Sequence, residues 1–224
     1  MYKITPIKTL KQGDELFRLE FPDASSQDFQ IWDYSFLYQH PHLYRYLIVD
    51  RLECRVYEAI EKLLVPVLKN YKSIRIADIA CGSGLMGKRL KDNPNLSIDF
   101  LAGIEINRYA LTALERDTPG VYDSCFLVPQ DNYYSLKQHG LNCLVMCGAA
   151  NHLSLKHYQE YLSIMTQPGW IVFNLVADPT HKQRNTILAW MDEKYICEKR
   201  QTYLHRKLSN GEEIIHEVFL YKNH

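Results

Sequence analysis

The sequence has no long hydrophobic run, no excess of charge of one sign and no pair of cysteines with CxxC spacing. A helix that spans a membrane needs about 18 or more apolar residues in succession, so we predict none. Lysine plus arginine total 26 and aspartate plus glutamate total 26, which gives a net charge of zero. No global field therefore draws the chain to nucleic acid or to an anionic membrane. Residues 1–10 carry two lysines but no apolar block, so they do not resemble a signal peptide.

The six cysteines lie mostly inside apolar segments, and none of them has CxxC spacing. In a chain of this size they are expected to be reduced, mostly buried thiols of a cytoplasmic protein, and we predict no metal site. What the chain does have is 46% apolar and 23% charged residues over a length of 224. This balance is typical of a globular protein with one domain of ordinary size, and a short appendage is compatible with it.

An aromatic segment occupies residues 32–46, where every even position is aromatic or histidine. The period of two is typical of a strand, but Pro41 interrupts it. We predict an irregular or partly helical approach and then a helix that opens near Pro41. The rings either cover the end of a core or form a lid over a small-molecule pocket. Residues 1–30 contain two turn-forming clusters and are predicted to be a peripheral hairpin or a loosely held arm.

From residue 51 the pattern becomes regular. Residues 51–68 have helical spacing, short apolar strands then alternate with amphipathic helices up to residue 191, and two extended runs follow over residues 195–221. Alternating strands and helices indicate a parallel sheet with helices on both faces. Asn210-Gly211 between the last two runs indicates a closing hairpin. We predict an α/β fold with an N-terminal arm or lid at residues 1–50 and one domain at residues 51–224.

The most informative segment is a glycine-rich loop between a predicted strand and a predicted helix, Asp78-Ile79-Ala80-Cys81-Gly82-Ser83-Gly84-Leu85-Met86-Gly87. Glycine is needed where the backbone turns sharply and where a ligand approaches it without a Cβ in the way. Glu105 lies 21 residues after Gly84, at the end of the next predicted strand. A carboxylate there can accept hydrogen bonds from ribose hydroxyls. The segment predicts a ligand that contains a nucleoside; a structural turn without a ligand is the alternative.

The sequence DIACGSG at residues 78–84 resembles motif I of the class I S-adenosylmethionine-dependent methyltransferases. A dinucleotide-binding loop, the other candidate, normally has a small or apolar residue where Asp78 stands. A carboxylate complements the ammonium of S-adenosylmethionine, but it would repel the negative charge of a pyrophosphate. Residues 103–106 resemble the family's second-strand motif, residues 120–132 its third-strand region and residues 144–153 its fourth-strand motif. The resemblance covers roughly residues 50–224.

The resemblance implies a Rossmann-like, seven-stranded, mostly parallel sheet with a C-terminal antiparallel hairpin. It implies S-adenosylmethionine as cofactor and S-adenosylhomocysteine as product, with Asp131 on the adenine amino group. The residues that it assigns to the cofactor are Asp78, Ala80, Cys81, Gly82, Gly84, Glu105, Ile106, Asp131, Asn132 and Cys147. Asn142-Cys143 stands where the family often has an aromatic-Asp pair. No Asn/Asp-Pro-Pro-aromatic motif occurs, so the usual signature of methylation at amide or exocyclic nitrogens is absent.

In such an enzyme the alignment of acceptor and methyl group matters more than any one side chain, although a hydroxyl or carbon acid gains from a general base. His152, just after the fourth strand, is the first candidate, and His40 and His42 are the second candidates. We expect a methyltransferase that acts on an oxygen or carbon of a small, partly apolar molecule. A binding module that has lost turnover and an enzyme for nucleic acid or protein are the alternatives. The sequence leaves the acceptor and the oligomeric state open.

Overall fold

The structure is a computed structural model that describes residues 2–9 and 11–223. Its N-terminal part is a three-stranded antiparallel sheet in the order β1-β2-β3. The elements up to residue 68 are β1 (Lys3–Lys8), β2 (Leu16–Glu20), β3 (Ser26–Gln30), α1 (Tyr34–Gln39), a π-helical segment (Arg45–Arg51) and α2 (Val56–Leu68). Residues 2–9 and 11–30 thus contain a sheet, and Phe17, Leu19 and Phe29 bury one of its faces in the core.

A second sheet of seven strands forms the rest of the chain. Its elements are β4 (Ile74–Ile79), α3 (Leu85–Lys91), β5 (Ile98–Glu105), α4 (Arg108–Asp117), β6 (Ser124–Leu127), a 3-10 helix (Tyr133–His139), β7 (Cys143–Met146), a 3-10 turn (Ala150–His152), α5 (Leu155–Leu162), β8 (Gly169–Val176), α6 (Lys182–Lys194), β9 (Ile196–Lys207) and β10 (Glu213–Asn223). The strand order is β6-β5-β4-β7-β8-β10-β9, and β10 runs antiparallel to both of its neighbours. The predicted fold class is confirmed.

The crevice that concerns function lies where the strand order reverses. The chain moves from β4 outward through β5 to β6, and then returns to place β7 on the other side of β4. In open α/β sheets ligands bind at this point, beyond the carboxyl ends of the strands. All four residues of β7 are buried, as expected for a central strand that is covered on both faces. Asp78 near the end of β4 pairs with Val145 of β7, so its side chain lies at the reversal.

The aromatic segment is helical rather than extended. The side chain of Asp33 accepts a hydrogen bond from the Phe36 backbone N–H at 3.0 Å and caps the start of α1. Pro41 lies between α1 and the π-helical segment, which begins at Arg45. Phe36 packs on Phe29 of the N-terminal sheet, with ring centroids 4.8 Å apart, while Tyr38 turns towards α4.

No helix in the described part of the chain is both long and apolar enough to cross a membrane.

Candidate functional site

The glycine-rich loop bends in a way that requires glycine. Gly82 has φ of +57° and Gly84 has φ of +82°, in the left-handed region that other residues adopt only with strain. A Cβ on Gly82 would lie 2.7 Å from the Tyr38 hydroxyl, and one on Gly84 would lie 2.6 Å from Thr118 Oγ1. Gly87 leaves room for the ring of Tyr122. The loop therefore offers bare backbone at the end of β4, as the sequence predicts.

Glu105 ties this loop to the next strand. One carboxylate oxygen accepts from the Gly82 N–H at 2.8 Å, and the other accepts from the Ile106 and Asn107 N–H groups at 2.7 and 2.9 Å. The side chain is 6% exposed. Oε2, the oxygen that accepts only from the Gly82 N–H, has a further lone pair, so Glu105 can hold the loop and still accept a hydrogen bond from a ligand hydroxyl.

Asp78 has a buried carboxylate that is only half satisfied. Its Oδ2 accepts from the Tyr122 hydroxyl at 2.6 Å, and its Oδ1 has no hydrogen-bond partner within the described residues. The residue is 1% exposed, and this burial raises the pKa of Asp78 to about 7. A buried carboxylate oxygen without a partner is costly. An ammonium group of a ligand would satisfy it and would favour the ionised carboxyl.

Asp78 and the loop surround a small cavity, here called the inner cavity, of about 30 Å³. One part of its lining consists of three tyrosine side chains, Tyr38, Tyr44 and Tyr57. The other lining residues include Ala80, Cys81, Gly82 and Cys147. A volume of this size holds about one water molecule. The Tyr38 hydroxyl lies close to Gly82, so α1 covers this crevice, and a nucleoside would enter only if the Tyr38 side chain moved away.

Arg116 of α4 fastens this cover. Its guanidinium donates to the backbone carbonyls of Tyr38, Gln39 and His40 at 3.2, 3.3 and 3.2 Å. These are carbonyls at the C-terminal end of α1, which lack partners within the helix. The Asn107 side chain adds a hydrogen bond to Ser35 Oγ at 3.2 Å. The aromatic segment is thus held over the loop by α4.

Replacement of Arg116 by alanine is expected to tighten the apparent affinity for S-adenosylhomocysteine by about five-fold, since a larger fraction of molecules would have the crevice open. Stopped-flow and equilibrium titrations would measure the effect. Arg18→Ala is the control, because Arg18 pairs with Asp28 on the remote N-terminal sheet. An unchanged or lower affinity in Arg116→Ala would show that α1 is not the barrier.

A larger cavity of about 220 Å³, here called the outer cavity, lies beside the inner one. Tyr44 lines both, and Gly148 in the outer wall directly follows Cys147 in the inner wall. The outer walls combine rings and aliphatic side chains with histidines and one arginine: Ile31, Trp32, Tyr34, Tyr44, Ile48, Val56, Asn151, His152, His181, His205, Arg206 and His216 among them. Such a combination of apolar walls and a few polar groups is typical of small-molecule sites.

The structure brings most of the predicted cofactor residues together. Asp78, Ala80, Cys81, Gly82 and Cys147 line the inner cavity, and Gly84 and Glu105 belong to the same loop assembly.

The remaining predicted cofactor residues lie further out. Ile106 is 71% exposed, Asp131 accepts from the Leu127 N–H at 2.7 Å, and Asn132 caps the 3-10 helix after it. Asp131 and Asn132 follow β6, two strands from β4, and do not line the inner cavity. The adenine contact assigned to Asp131 stays a prediction.

The three candidate catalytic histidines do not lie together. His152 lines the outer cavity, its ring 5.6 Å from that of Trp32, and partial burial lowers the pKa of its imidazole. His40 packs against Phe36, and His42 Nδ1 lies 3.6 Å from Asp117 Oδ1; neither lines a cavity. Their catalytic roles stay predictions, with His152 the best placed.

Three further histidines line the outer cavity that no sequence pattern had predicted there: His181, His205 and His216. His205 and His216 come from the C-terminal hairpin, whose strands bring them into contact with ring centroids 3.8 Å apart. One signal was available: Asn174 is the only polar residue in the otherwise apolar run of β8, and its side chain contacts His216.

Titration of Asp78 gives a pH dependence with a definite sign. The ordinary pKa of 3.8 applies to the unfolded chain and the raised pKa to the folded one. Between these values the folded protein keeps a proton that the unfolded chain releases, so this group lowers the free energy of unfolding as the pH rises. Asp78→Asn should therefore gain stability relative to the unsubstituted protein, by up to about 4 kcal/mol, between about pH 4 and pH 7. Urea unfolding of both proteins would measure it, and a difference that does not change with pH would contradict it.

Comparison with known proteins identifies the fold. No family model matches the sequence, and no curated protein matches it. Among solved structures, an S-adenosylmethionine-dependent methyltransferase from Anabaena variabilis ATCC 29413 is 14% identical, with 79% of this chain and 86% of that one covered and a TM-score of 0.52. Precorrin-6y C5,15-methyltransferase from Geobacter metallireducens is 13% identical, with 73% and 87% covered and a TM-score of 0.50.

Spermidine synthase from Thermotoga maritima is also similar. It is 11% identical, with 98% of this chain and 73% of that one covered and a TM-score of 0.54. The methyltransferases match about three quarters of the chain, whereas this match covers nearly all of it. Together these likenesses show that the chain has the fold of the class I S-adenosylmethionine-dependent methyltransferases.

Proposed function

We propose that the protein is an S-adenosylmethionine-dependent methyltransferase that acts on an oxygen or carbon atom of a small, partly apolar molecule. The observation that carries the proposal is the unpartnered Asp78 Oδ1, buried beside the Gly82 bend. A nucleoside with an ammonium group at one end complements this pair of features. Glu105, on the other side of the bend, is available to its ribose hydroxyls.

The cofactor supplies an activated methyl group on a sulfonium, and the chain supplies position. Asp78 would hold the amino-acid end, Glu105 would hold the ribose, and the bare backbone at Gly82 would permit close approach. Tyr44 and Cys147 form the wall nearest the outer cavity, where the acceptor binds. Alignment of the two reactants can supply about 7–11 kcal/mol of the acceleration.

His152 is the side chain that we assign as general base for an acceptor hydroxyl or carbon acid. It lines the outer cavity, and its lowered pKa leaves it neutral at physiological pH, as a base must be. His40 and His42 have a smaller claim because they lie outside both cavities.

The charges of the C-terminal hairpin support a small molecule over nucleic acid. Arg200 pairs with Glu217 at 2.7 Å, Lys207 pairs with Glu53 at 3.0 Å, and Arg206 pairs with Glu15. These three basic residues of the hairpin are therefore neutralised by carboxylates from its own strands and from the N-terminal part. A surface that binds phosphates would leave such groups free.

A second candidate is a reaction on a polyamine, which the long match to spermidine synthase favours. A polyamine carries several positive charges, and burying them requires carboxylates. Among the described residues, the outer cavity is lined by an arginine and four histidines and by no aspartate or glutamate. The lining therefore favours the methyltransferase.

The proposal is tested by the release of S-adenosylhomocysteine from S-adenosylmethionine in the presence of cell extract. The extract is separated into a low-molecular-mass filtrate and a macromolecular retentate, and Glu105→Ala serves as the inactive control. We expect turnover with the filtrate. Turnover with the retentate alone would overturn the choice of substrate, and binding of S-adenosylhomocysteine without turnover on either fraction would favour a binding module.

A further inference from the structure

We propose that the outer cavity selects an uncharged molecule with one aromatic ring, and that His216 Nε2–H donates the hydrogen bond that recognises an acceptor atom on it. That this molecule is the methyl acceptor rests on the proposed function; its chemical class rests on the cavity itself. His216 has no role in the cofactor site. Three features of the outer cavity support its assignment as the donor.

The first feature is a relay of hydrogen bonds that fixes the tautomer of His216. The Gly148 backbone N–H can only donate, and it donates to Asn174 Oδ1 at 2.8 Å. The amide nitrogen of Asn174 therefore faces His216, and it donates to His216 Nδ1 at 3.0 Å. A neutral imidazole with Nδ1 as acceptor carries its proton on Nε2. His216, a lining residue of the outer cavity, is thus a donor through Nε2 and not a base.

The second feature is that this donor has no partner in the protein. His216 is 2% exposed, and its Nε2 is one of the few buried side-chain atoms without a hydrogen bond among the described residues. An unsatisfied buried N–H costs free energy that a ligand acceptor recovers on binding. Because a donor is available, the complementary ligand atom is a carbonyl, ether or hydroxyl oxygen or a ring nitrogen.

The third feature is the absence of net charge. Burial lowers the pKa of His216 to about 4 and holds the pKa of His205 well below its ordinary value, so both rings are neutral near pH 7. The positive charge of Arg206 is balanced by Glu15, whose Oε1 accepts from Nη1 at 2.9 Å. These three groups therefore offer no uncompensated charge to an anion or to a cation, and either would lose hydration beside them without compensation.

The volume sets the size of the ligand. A cavity of about 150 Å³ lined by aliphatic and aromatic side chains admits benzene. The outer cavity has about 220 Å³, which accommodates one ring with a few substituents. Trp32, Tyr34 and Tyr44 supply aromatic walls, and Tyr44 also lines the inner cavity. A bound ring therefore lies next to the place where the sulfonium of the cofactor is expected.

The test compares acetophenone with 2-phenylpropene, in which a methylene group replaces the carbonyl oxygen of almost the same shape. Binding to the full chain is measured by ligand-observed NMR with the unsubstituted protein, His216→Phe and His216→Gln. We expect about a tenfold preference for acetophenone in the unsubstituted protein. His216→Gln keeps a donor and should keep most of the preference, whereas His216→Phe should remove it. Thermal unfolding of each variant shows whether it folds.

Nitrogen NMR of labelled histidine gives a second measurement that needs no ligand. We expect the His216 signals of the Nε2–H tautomer, and in Asn174→Asp we expect the proton on Nδ1, since a carboxylate at residue 174 can only accept. The preference for acetophenone should then disappear in Asn174→Asp. An Nδ1–H tautomer in the unsubstituted protein would overturn the assignment of the donor.

The other results that would overturn the proposal are equally specific. They are equal binding of the two probes, no binding of either, a preference that persists in His216→Phe, and tighter binding of benzoate or benzylamine than of acetophenone. A separate titration with S-adenosylhomocysteine keeps the two proposals apart. If acetophenone is preferred but the nucleoside does not bind, the ring-binding site stands and the methyltransferase proposal fails.

Discussion

Replacement of Gly82 by aspartate is expected to lower the affinity for S-adenosylhomocysteine by at least about 100-fold, equivalent to about 2.7 kcal/mol. The new side chain fills the space beside the Gly82 backbone through which the nucleoside would approach. Even a Cβ at this position would lie 2.7 Å from the Tyr38 hydroxyl. It also places a third carboxylate beside Asp78 and Glu105, which raises the cost of ionising Asp78. Isothermal titration calorimetry measures the affinity.

The matched control is Gly211→Asp. Gly211 also has a positive φ, +90°, but a Cβ there meets no atom within 4 Å, and the residue lies in the turn between β9 and β10. Both substitutions introduce the same kind of backbone strain, so a difference in affinity between the two variants reports on the surroundings of the substituted residue. If Gly82→Asp binds the ligand as well as Gly211→Asp does, the ligand does not bind at the loop.

Replacement of Glu15 by alanine is expected to lower the free energy of unfolding by about 3–5 kcal/mol, because it leaves a buried arginine without its partner. Glu15 is 0% exposed and Arg206 is 2% exposed. The pair joins the N-terminal sheet to β9, 191 residues later in the chain. Urea unfolding followed by circular dichroism measures the loss.

The control for Glu15→Ala is Asp28→Ala, which breaks the exposed pair with Arg18 and should lower the free energy of unfolding far less, because water screens this pair. The double variant Glu15→Leu with Arg206→Met removes both buried charges and should recover most of the lost stability. A loss of the same size in Glu15→Ala and Asp28→Ala would show that the buried pair does not join the two parts of the protein.

The sequence predicted the geometry of the glycine-rich loop well because that geometry is local. Gly82 and Gly84 supply positive φ angles within one turn, and Glu105 ends the strand next to it, so residue type and spacing are enough. The alternation of strands and helices likewise predicted the sheet, since parallel strands need crossover helices.

The outer cavity could not be predicted in the same way. Its polar groups come from strands whose register is set by long-range pairing: His216 lies opposite Tyr203 across the hairpin, and Asn174 lies opposite Val218. Residue types alone do not say which histidine of an extended run faces a cavity. His152 was found because it follows a recognisable strand end, and His205 and His216 were not.

The three-stranded N-terminal sheet was predicted only as a hairpin or an arm, for a different reason. In β3 only Phe29 is buried, so the strand lacks the alternation that identifies a half-buried strand. In the aromatic segment the predicted helical character is confirmed in spite of the period of two, and the rings on α1 contact two different surfaces. Phe36 meets Phe29, whereas the Tyr38 hydroxyl lies over Gly82.

A calorimetric titration of S-adenosylhomocysteine into the unsubstituted protein and into Asp78→Asn, at about pH 6 and about pH 7.5, is the most direct test of the assignment of this crevice. Ionisation of Asp78, with its pKa raised to about 7, should strengthen binding to the unsubstituted protein as the pH rises. Asp78→Asn should bind at least about tenfold more weakly at the higher pH and should show no such rise. Equal affinities of the two proteins, or no binding to either at millimolar ligand, would contradict the account.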